Sequence, residues 1–248
     1  MQKIYGRKPV LEAIKSGEEI EQIYVAFDQH GDVINQIFSA AKKNKIKVSQ
    51  VSSAKFKEIE VGDPFGKGKN TQGVIALISS VKYLSLQEII NHSKKSELPF
   101  LLILDSIQDP HNLGAILRTA ECAGIDGVVL TTHESASINE TVQKTSAGAA
   151  SHLKICKIIN LVQTIKELKD NGFWVAGSHL GNSKIYNEVD YKLPLVLIMG
   201  NEEKGIRDLT AKNCDFLIEI PMKGKIQSLN VSVATGILLF EVLRNRNI

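Results

Sequence analysis

The chain has 248 residues, 43% hydrophobic and 23% charged, with 30 lysines and arginines against 27 aspartates and glutamates. An apolar fraction that high, with a formal net charge of only +3, excludes an intrinsically disordered chain. No apolar run approaches the roughly 18–20 residues that cross a bilayer, so a helical membrane span is excluded too.

In chain order, RKPVLEAIKSG places Val10, Leu11 and Ile14 at helical spacing, with Gly17 where a helix C-cap would stand. EQIYVAF predicts a strand and DVINQIFSAAKKNK a helix that Asp32 would N-cap and lysines would close. KVSQV, SAKFKEI and GVIALIS then predict a strand, a short helix and a third strand. This alternation defines a small α/β unit over residues 1–80. Its loop GDPFGKGKNTQG is basic and glycine-rich. Residues 81–99, more polar and ending in proline, predict a linker with one helical turn.

Over residues 100–248 the alternation resumes with stronger strands. PFLLILD, GVVLT, LKICKI, FWVAGSH, PLVLIMG and FLIEIP read as six strands, several of them continuously apolar, as strands buried on both faces of a parallel sheet are. Four helices are predicted between and after them: NLGAILRTAECAG, stopped by Gly124; INETVQKTSAGAA; LVQTIKELKDNG, stopped at Asn171-Gly172; and SLNVSVATGILLFEVLRNR. The last is apolar around most of its circumference, which predicts burial on several sides and a subunit interface.

The basic N-terminus (Lys3, Arg7, Lys8) lacks the apolar stretch of a secretory signal, and Cys122, Cys156 and Cys214 are odd in number and widely spaced. Together they predict thiols in a reducing cytoplasm, without disulfides or a zinc site. Histidines 30, 92, 111, 133, 152 and 179 form no metal spacing, and each reads as a surface or capping residue. GxGxxG, GxxxxGK[ST] and GxSxG are absent, which argues against a Rossmann dinucleotide site, a P-loop and an α/β-hydrolase elbow.

Ligands of open parallel sheets gather beyond the carboxyl ends of the strands. Three polar segments follow strands there. DSIQDPHNLGAILRTA carries Asp105, Asp109, Asn112 as a helix N-cap, Gly114 for close backbone approach, and Arg118. Lying between Leu117 and Ala120, Arg118 is expected to be partly desolvated and to need a carboxylate or phosphate partner. LIMGNEEKGI turns at Gly200 and would start a helix with Glu202 and Glu203. IEIPMKGKIQSLNVSVATGILLF ends a strand at a proline and opens the last helix, with Ser228 as its expected N-cap and Asn230 in its first turn.

The three segments together resemble the SpoU, or TrmH-like, family of RNA ribose 2'-O-methyltransferases in the SPOUT superfamily. The resemblance rests on Asp109-Pro110, Asn112, Gly114 and Arg118-Thr119-Ala120; on Gly200-Asn201-Glu202 with Gly205-Ile206; and on Ile220-Pro221-Met222, Gly224 and Ser228 to Ala234. TSAGAASHL fits an intervening segment, and GRKPVLEAI is similar to the opening of the ribosomal-RNA guanosine methyltransferase subgroup.

The resemblance implies an α/β SPOUT domain with a parallel sheet and a deep C-terminal trefoil knot. It also implies an N-terminal RNA substrate-binding domain of the ribosomal L30e type. S-adenosylmethionine would be held by Met199, Gly200, Ile220, Met222, Ser228 and Leu229, and no metal is implied. Arg118, Asn112, Glu202, Ser228 and Asn230 would be catalytic. Arg7, Lys67, Lys69 and Arg118 would contact RNA, with Lys82, Lys223 and Lys225 available to phosphates. A homodimer through the C-terminal domain is implied. The implied substrate is the ribose 2'-oxygen of a guanosine in 23S ribosomal RNA. Transfer RNA, a different ribosomal loop, or a non-catalytic role in RNA binding or assembly stay open as alternatives. For Arg118 two roles stand: electrostatic stabilisation of a developing alkoxide, or proton acceptance at a lowered pKa.

Overall fold

The computed structural model describes residues 3–61, 70–79, 81–181, 183–201, 205–225 and 228–247. The chain divides into two compact units, Met1–Lys82 and Tyr83–Ile248.

The first unit runs β1 (Lys3–Tyr5), α1 (Arg7–Lys15), β2 (Ile20–Ala26), α2 (Asp32–Lys43), β3 (Lys47–Val51), α3 (Ser53–Val61) and β4 (Val74–Ile78). Its sheet has the order β1-β4-β2-β3, with only β2 and β3 parallel. Strand alternation sets its two faces. Ile23 and Val25 of β2 and Val74 and Ala76 of β4 meet Val10, Ile14, Ile34 and Ile37 of α1 and α2, while Ala26 and Ile75 meet Phe56 of α3. Gly17 follows α1 with a left-handed φ of 77°. Asp32 is the first residue of α2 rather than its cap; the cap is Gly31, and the Asp32 carboxylate lies in the first turn, where it suits the helix dipole.

The second unit runs β5 (Tyr83–Leu84), α4 (Leu86–Ser93), β6 (Phe100–Leu104), α5 (Pro110–Cys122), β7 (Gly127–Thr131), α6 (Glu140–Thr145) and β8 (Ile155–Ile158). It continues with α7 (Leu161–Asp170), β9 (Trp174–Ser178), β10 (Lys184–Ile185), β11 (Leu195–Met199), α8 (Asp208–Asn213), β12 (Phe216–Glu219) and α9 (Val231–Arg246). Its eight strands pair in parallel in the order β10-β12-β9-β11-β6-β7-β8-β5. Every residue of β6, β7 and β11 is buried, which is why these strands read as unbroken apolar runs.

Residues 81–99 are not a linker. Tyr83 and Leu84 pair with β8, and Ser85 and Glu88 close a capping box on α4, which buries Ile89 and Ile90. The helix expected over INETVQKTSAGAA is shorter: α6 ends at Thr145, and Ala147 and Gly148 take positive φ before a single 3-10 turn. Burial pushes the thiols of Cys156 and Cys214 up to about 12, and Cys122 is exposed; all three are free.

Arg246 fastens the end of α9 to the amino-terminal end of the sheet. Its buried guanidinium donates to the carbonyls of Leu98 (2.6 Å), Leu193 (2.7 Å) and Tyr191 (3.0 Å) and lies 5.2 Å from the centre of the Phe100 ring. Desolvation lowers its pKa, and the carbonyls replace the lost water.

Candidate functional site

The strand order reverses between β6 and β11: the chain runs outward from β6 through β7 and β8, while β9, β11 and β12 lie on the other side. Ligands of parallel sheets bind beyond the carboxyl ends of strands at such a switch.

β11 ends at Met199, and the chain doubles back immediately. Asn201 and Gly205 exchange backbone hydrogen bonds of 3.0 and 2.8 Å, with Gly205 at φ 65°. A side chain at Gly200 would place Cβ 2.1 Å from the Gly205 carbonyl carbon, so glycine is required there. Glu202, with Glu203 and Lys204, lies outside the described residues. Asn201 and Gly205 pair as an isolated bridge, and the next helix, α8, begins at Asp208, which supplies its acidic first turn.

This turn is bolted to the loop after β6. The carboxylate of Asp105, 1% exposed, accepts from Arg207 Nε (3.2 Å) and Nη2 (2.8 Å). Asn201 Nδ2 donates to the Ser106 carbonyl at 3.0 Å, and the Ser106 N–H donates to Thr131 Oγ1 at 3.0 Å. The arginine partnering this aspartate is therefore Arg207 and not Arg118.

Asp109, not Asn112, caps α5: its carboxylate accepts from the His111 N–H, with Pro110 as the first helical residue. Asn112 sits inside the first turn, and its Oδ1 accepts from Asn230 Nδ2 at 3.0 Å, joining two segments 118 residues apart. Asn230, not Ser228, caps α9, accepting from the Ser232 N–H at 2.9 Å. Gly114 lets α6 approach; a Cβ there would lie 2.6 Å from Thr145 Cβ.

A cavity of about 250 Å³ opens among these strand ends, and Met199, Gly200, Ile220, Met222, Ser228 and Leu229 all line it. Asn201, Val231 and Ala234 complete that side. Ser178, His179 and Leu180, at the end of β9, line the cavity as well. The Nδ1 of His179 is buried without a hydrogen-bond partner among the described residues. Metal spacing alone does not mark His179 as a site residue. The strand-end rule applied to FWVAGSH would have marked it.

One other expectation changes. Arg118 is exposed and does not line the cavity, because Leu117 and Ala120 face the core and residue 118 falls on the outer side of α5. Arg7 is occupied within its own unit: Nε donates to the Gln72 carbonyl (3.1 Å), Nη1 to the His30 carbonyl (3.2 Å) and Nη2 to Gln29 Oε1 (2.5 Å). Lys67 and Lys69 lie outside the described residues. Among the described residues no group of histidine, cysteine or carboxylate side chains could hold a metal, and no helix is long and apolar enough to cross a membrane.

The family model described as SpoU rRNA Methylase matches residues 99–240, and that described as RNA 2'-O ribose methyltransferase substrate binding matches residues 3–84. A putative TrmH family tRNA/rRNA methyltransferase of Staphylococcus aureus is 40% identical over 98% of this chain and 96% of its own length. The Bacillus subtilis protein of that description, YacO, is 36% identical over the same shares. The crystal structure of an AdoMet-bound rRNA methyltransferase from Sinorhizobium meliloti superposes with a TM-score of 0.62 at 29% identity, covering 98% of this chain and 86% of that one. Matched in both of its units and along nearly its whole length, the chain belongs to the SpoU rRNA methylase family.

Proposed function

We propose that the chain is an S-adenosylmethionine-dependent RNA methyltransferase that modifies the ribose 2'-oxygen of a guanosine in 23S ribosomal RNA. The observation that carries this reading is the cavity formed where the ends of β9, β11 and β12 meet the segment leading into α9, lined by Met199, Gly200, Ile220, Met222, Ser228 and Leu229.

The lining fits the methyl donor. Met199, Ile220, Met222 and Leu229 offer apolar contact to a purine and a methionyl chain, while Ser178, His179, Asn201 and Ser228 offer polar atoms. Bound there, S-adenosylmethionine supplies an electrophilic sulfonium methyl. The protein's part is to place and activate the ribose hydroxyl. The Asn112–Asn230 pair beside the cavity orients the ribose, with Ser228 on the wall and Glu202 fixing that geometry. Arg118 binds the adjacent phosphate and stabilises negative charge growing on the 2'-oxygen. A guanidinium keeps its proton in proteins, which favours this role over that of a base.

Arg118 is outside the cavity of its own protomer, and a homodimer supplies what is missing. On α9, Val233 and Phe240 are each 51% exposed and lie seven residues apart on one face. Gly236 of the same helix faces Thr119, the neighbour of Arg118 on α5. Pairing through this surface would bring Arg118 toward the partner's cavity. Phe240→Asp is expected to yield a monomer in sedimentation velocity with methyl transfer lost; a variant that stays dimeric would refute this interface.

The interleaving of β12, β9, β11 and β6, with α9 returning to pack on α5, supports a deep trefoil knot at the C-terminal end. The first unit, matched as substrate-binding, is read as an L30e-type RNA-binding domain, and Lys82, Lys223 and Lys225, all exposed, as phosphate contacts. The reading places the protein in the cytoplasm. The relatives' names cover both tRNA and rRNA, and the description of the family model over residues 99–240 as an rRNA methylase supports the ribosomal target.

The test is transfer of labelled methyl from S-adenosylmethionine to purified 23S rRNA and tRNA, with ribose methylation mapped in cells with and without the protein. One guanosine 2'-O-methyl group in 23S rRNA is expected to disappear with the protein. Labelling confined to tRNA would move the assignment, and cofactor binding with neither RNA labelled would indicate a non-catalytic factor.

A further inference from the structure

We propose that the turn from α2 into β3, carrying Lys42, Lys43, Lys45 and Lys47, is the surface with which the first unit grips the phosphate backbone of RNA. The proposal rests on reading residues 3–84 as the RNA substrate-binding unit.

Four of the six residues from Lys42 to Lys47 are lysines. All four are exposed, and none makes an ion pair or a side-chain hydrogen bond among the described residues. Other cations of this unit are engaged. Lys3 donates to the Ile59 carbonyl at 2.8 Å, Arg7 holds the acceptors of Gln29, His30 and Gln72, and Lys15 and Lys55 pair with Glu12 and Glu58. Four unpaired like charges in one turn repel one another, and a partner of repeating negative charge relieves that repulsion.

Two ordinary accounts cover part of the cluster. Lys42 and Lys43 close the last turn of α2, where cations suit the helix dipole. Lys47 opens β3, the edge of its sheet, where a lysine guards against pairing with another chain. Neither account covers Lys45, which follows the helix cap Asn44 with φ at 58°. Its N–H donates to the Lys42 carbonyl at 3.3 Å, and the Ile46 N–H donates to the Ala41 carbonyl at 2.9 Å. These two bonds close a Schellman motif, whose left-handed residue is ordinarily glycine or asparagine. α1, α5 and α7 meet the same demand with Gly17, Gly124 and Gly172, at φ 77°, 63° and 88°. A lysine there strains the backbone, and no hydrogen bond or ion pair of its side chain offsets the strain. Strain that the turn does not require points to a use for the side chain. Lys45 joins the lysines of the helix end to the lysine of the edge strand in one basic stretch, which fits a polyanion better than a single carboxylate. The description of the family model over residues 3–84 selects RNA among polyanions.

Titration of the full-length protein with purified 23S rRNA over a series of salt concentrations tests this. Wild type is compared with a fourfold variant (Lys42→Gln, Lys43→Gln, Lys45→Gln, Lys47→Gln), with Lys45→Gly, and with a control that removes the same charge from exposed sites elsewhere (Lys15→Gln, Lys55→Gln, Lys57→Gln, Lys166→Gln). The fourfold variant is expected to bind roughly thirtyfold more weakly at about 0.1 M salt, and its slope of log affinity against log salt should be shallower by about three. The control should stay within about threefold of wild type. Lys45→Gly should bind about threefold more weakly, with a slope shallower by about one, and should melt no lower than wild type, because glycine relieves the left-handed backbone. S-adenosylmethionine affinity, measured by calorimetry, should be unchanged in every variant. The proposal is overturned if the fourfold variant keeps the affinity and slope of wild type, or if the control loses as much, which would leave net charge alone as the cause. It is overturned as well if Lys45→Gly melts lower, which would mark that lysine as structural. Wild type that binds S-adenosylmethionine but no RNA would remove the reading of the first unit and this proposal together; wild type that binds RNA while the fourfold variant binds equally would remove only the proposal.

Discussion

Arg118→Ala is expected to slow methyl transfer by on the order of 10²–10³-fold while S-adenosylmethionine binds within a few-fold of wild type. The split follows from geometry. The methyl-donor cavity is walled by residues of β9, β11, β12 and the segment leading into α9, and Arg118 is not among them. Arg118 is exposed on the outer side of α5, and in the proposed role it meets RNA phosphate and the 2'-oxygen and acts only once the nucleotide is in place. Arg118→Lys should recover part of the rate, because the charge survives while the planar two-point grip on phosphate does not. Single-turnover kinetics with excess enzyme measure the transfer step, and calorimetry without RNA measures cofactor affinity. Equal losses in the two would place Arg118 at the cofactor instead and refute the assignment.

How legible each part was in the sequence follows from how strongly burial constrains composition. β6, β7 and β11 announce themselves because a parallel strand covered on both faces must be apolar throughout, as LLIL and VLIM are. β1, β5 and β10, of two or three residues, are too short to show any periodicity. α4 was hidden in a polar stretch because an eight-residue helix on the sheet needs only Ile89, Ile90 and Ser93 buried. Cap positions are ambiguous in the sequence where two polar residues compete. In Asp109-Pro110-His111-Asn112 the proline marks the first helical turn, which leaves the cap to Asp109. Asn112 and Asn230 were marked from sequence, but their hydrogen bond across 118 residues is a product of the fold and has no local signature. Nor does the exposure of Arg118, which depends on which arc of α5 meets the sheet.

Gly200→Ala is expected to remove cofactor binding and to destabilise the second unit, a larger effect than a single added methyl normally has. The new Cβ would lie 2.1 Å from the Gly205 carbonyl carbon and 2.2 Å from the Ile206 nitrogen. Both are backbone atoms, so no rotamer change relieves the overlap and the turn itself must open. Opening it breaks the Asn201–Gly205 pairing, pulls Ile206 (2% exposed) out of the core and strains the Arg207–Asp105 bridge. Overpacking of this kind costs roughly 1–3 kcal/mol, here toward the upper end, which lowers Tm by roughly 6–12 °C in a chain of this size. The same movement displaces Gly200, Asn201 and Gly205 from the cavity wall, so affinity for S-adenosylmethionine should fall by more than about tenfold. Gly205 and Gly224 separate this mechanism from a general intolerance of alanine. Gly205→Ala meets nothing within 4 Å but must hold φ at 65°, and should cost about 1 kcal/mol with affinity largely kept. Gly224→Ala meets nothing within 4 Å and needs no left-handed backbone, and should be neutral in both measurements. Thermal unfolding and calorimetry of the three variants order them, and a Gly200→Ala protein that melts and binds like wild type would show that the turn after β11 does not form the cavity wall.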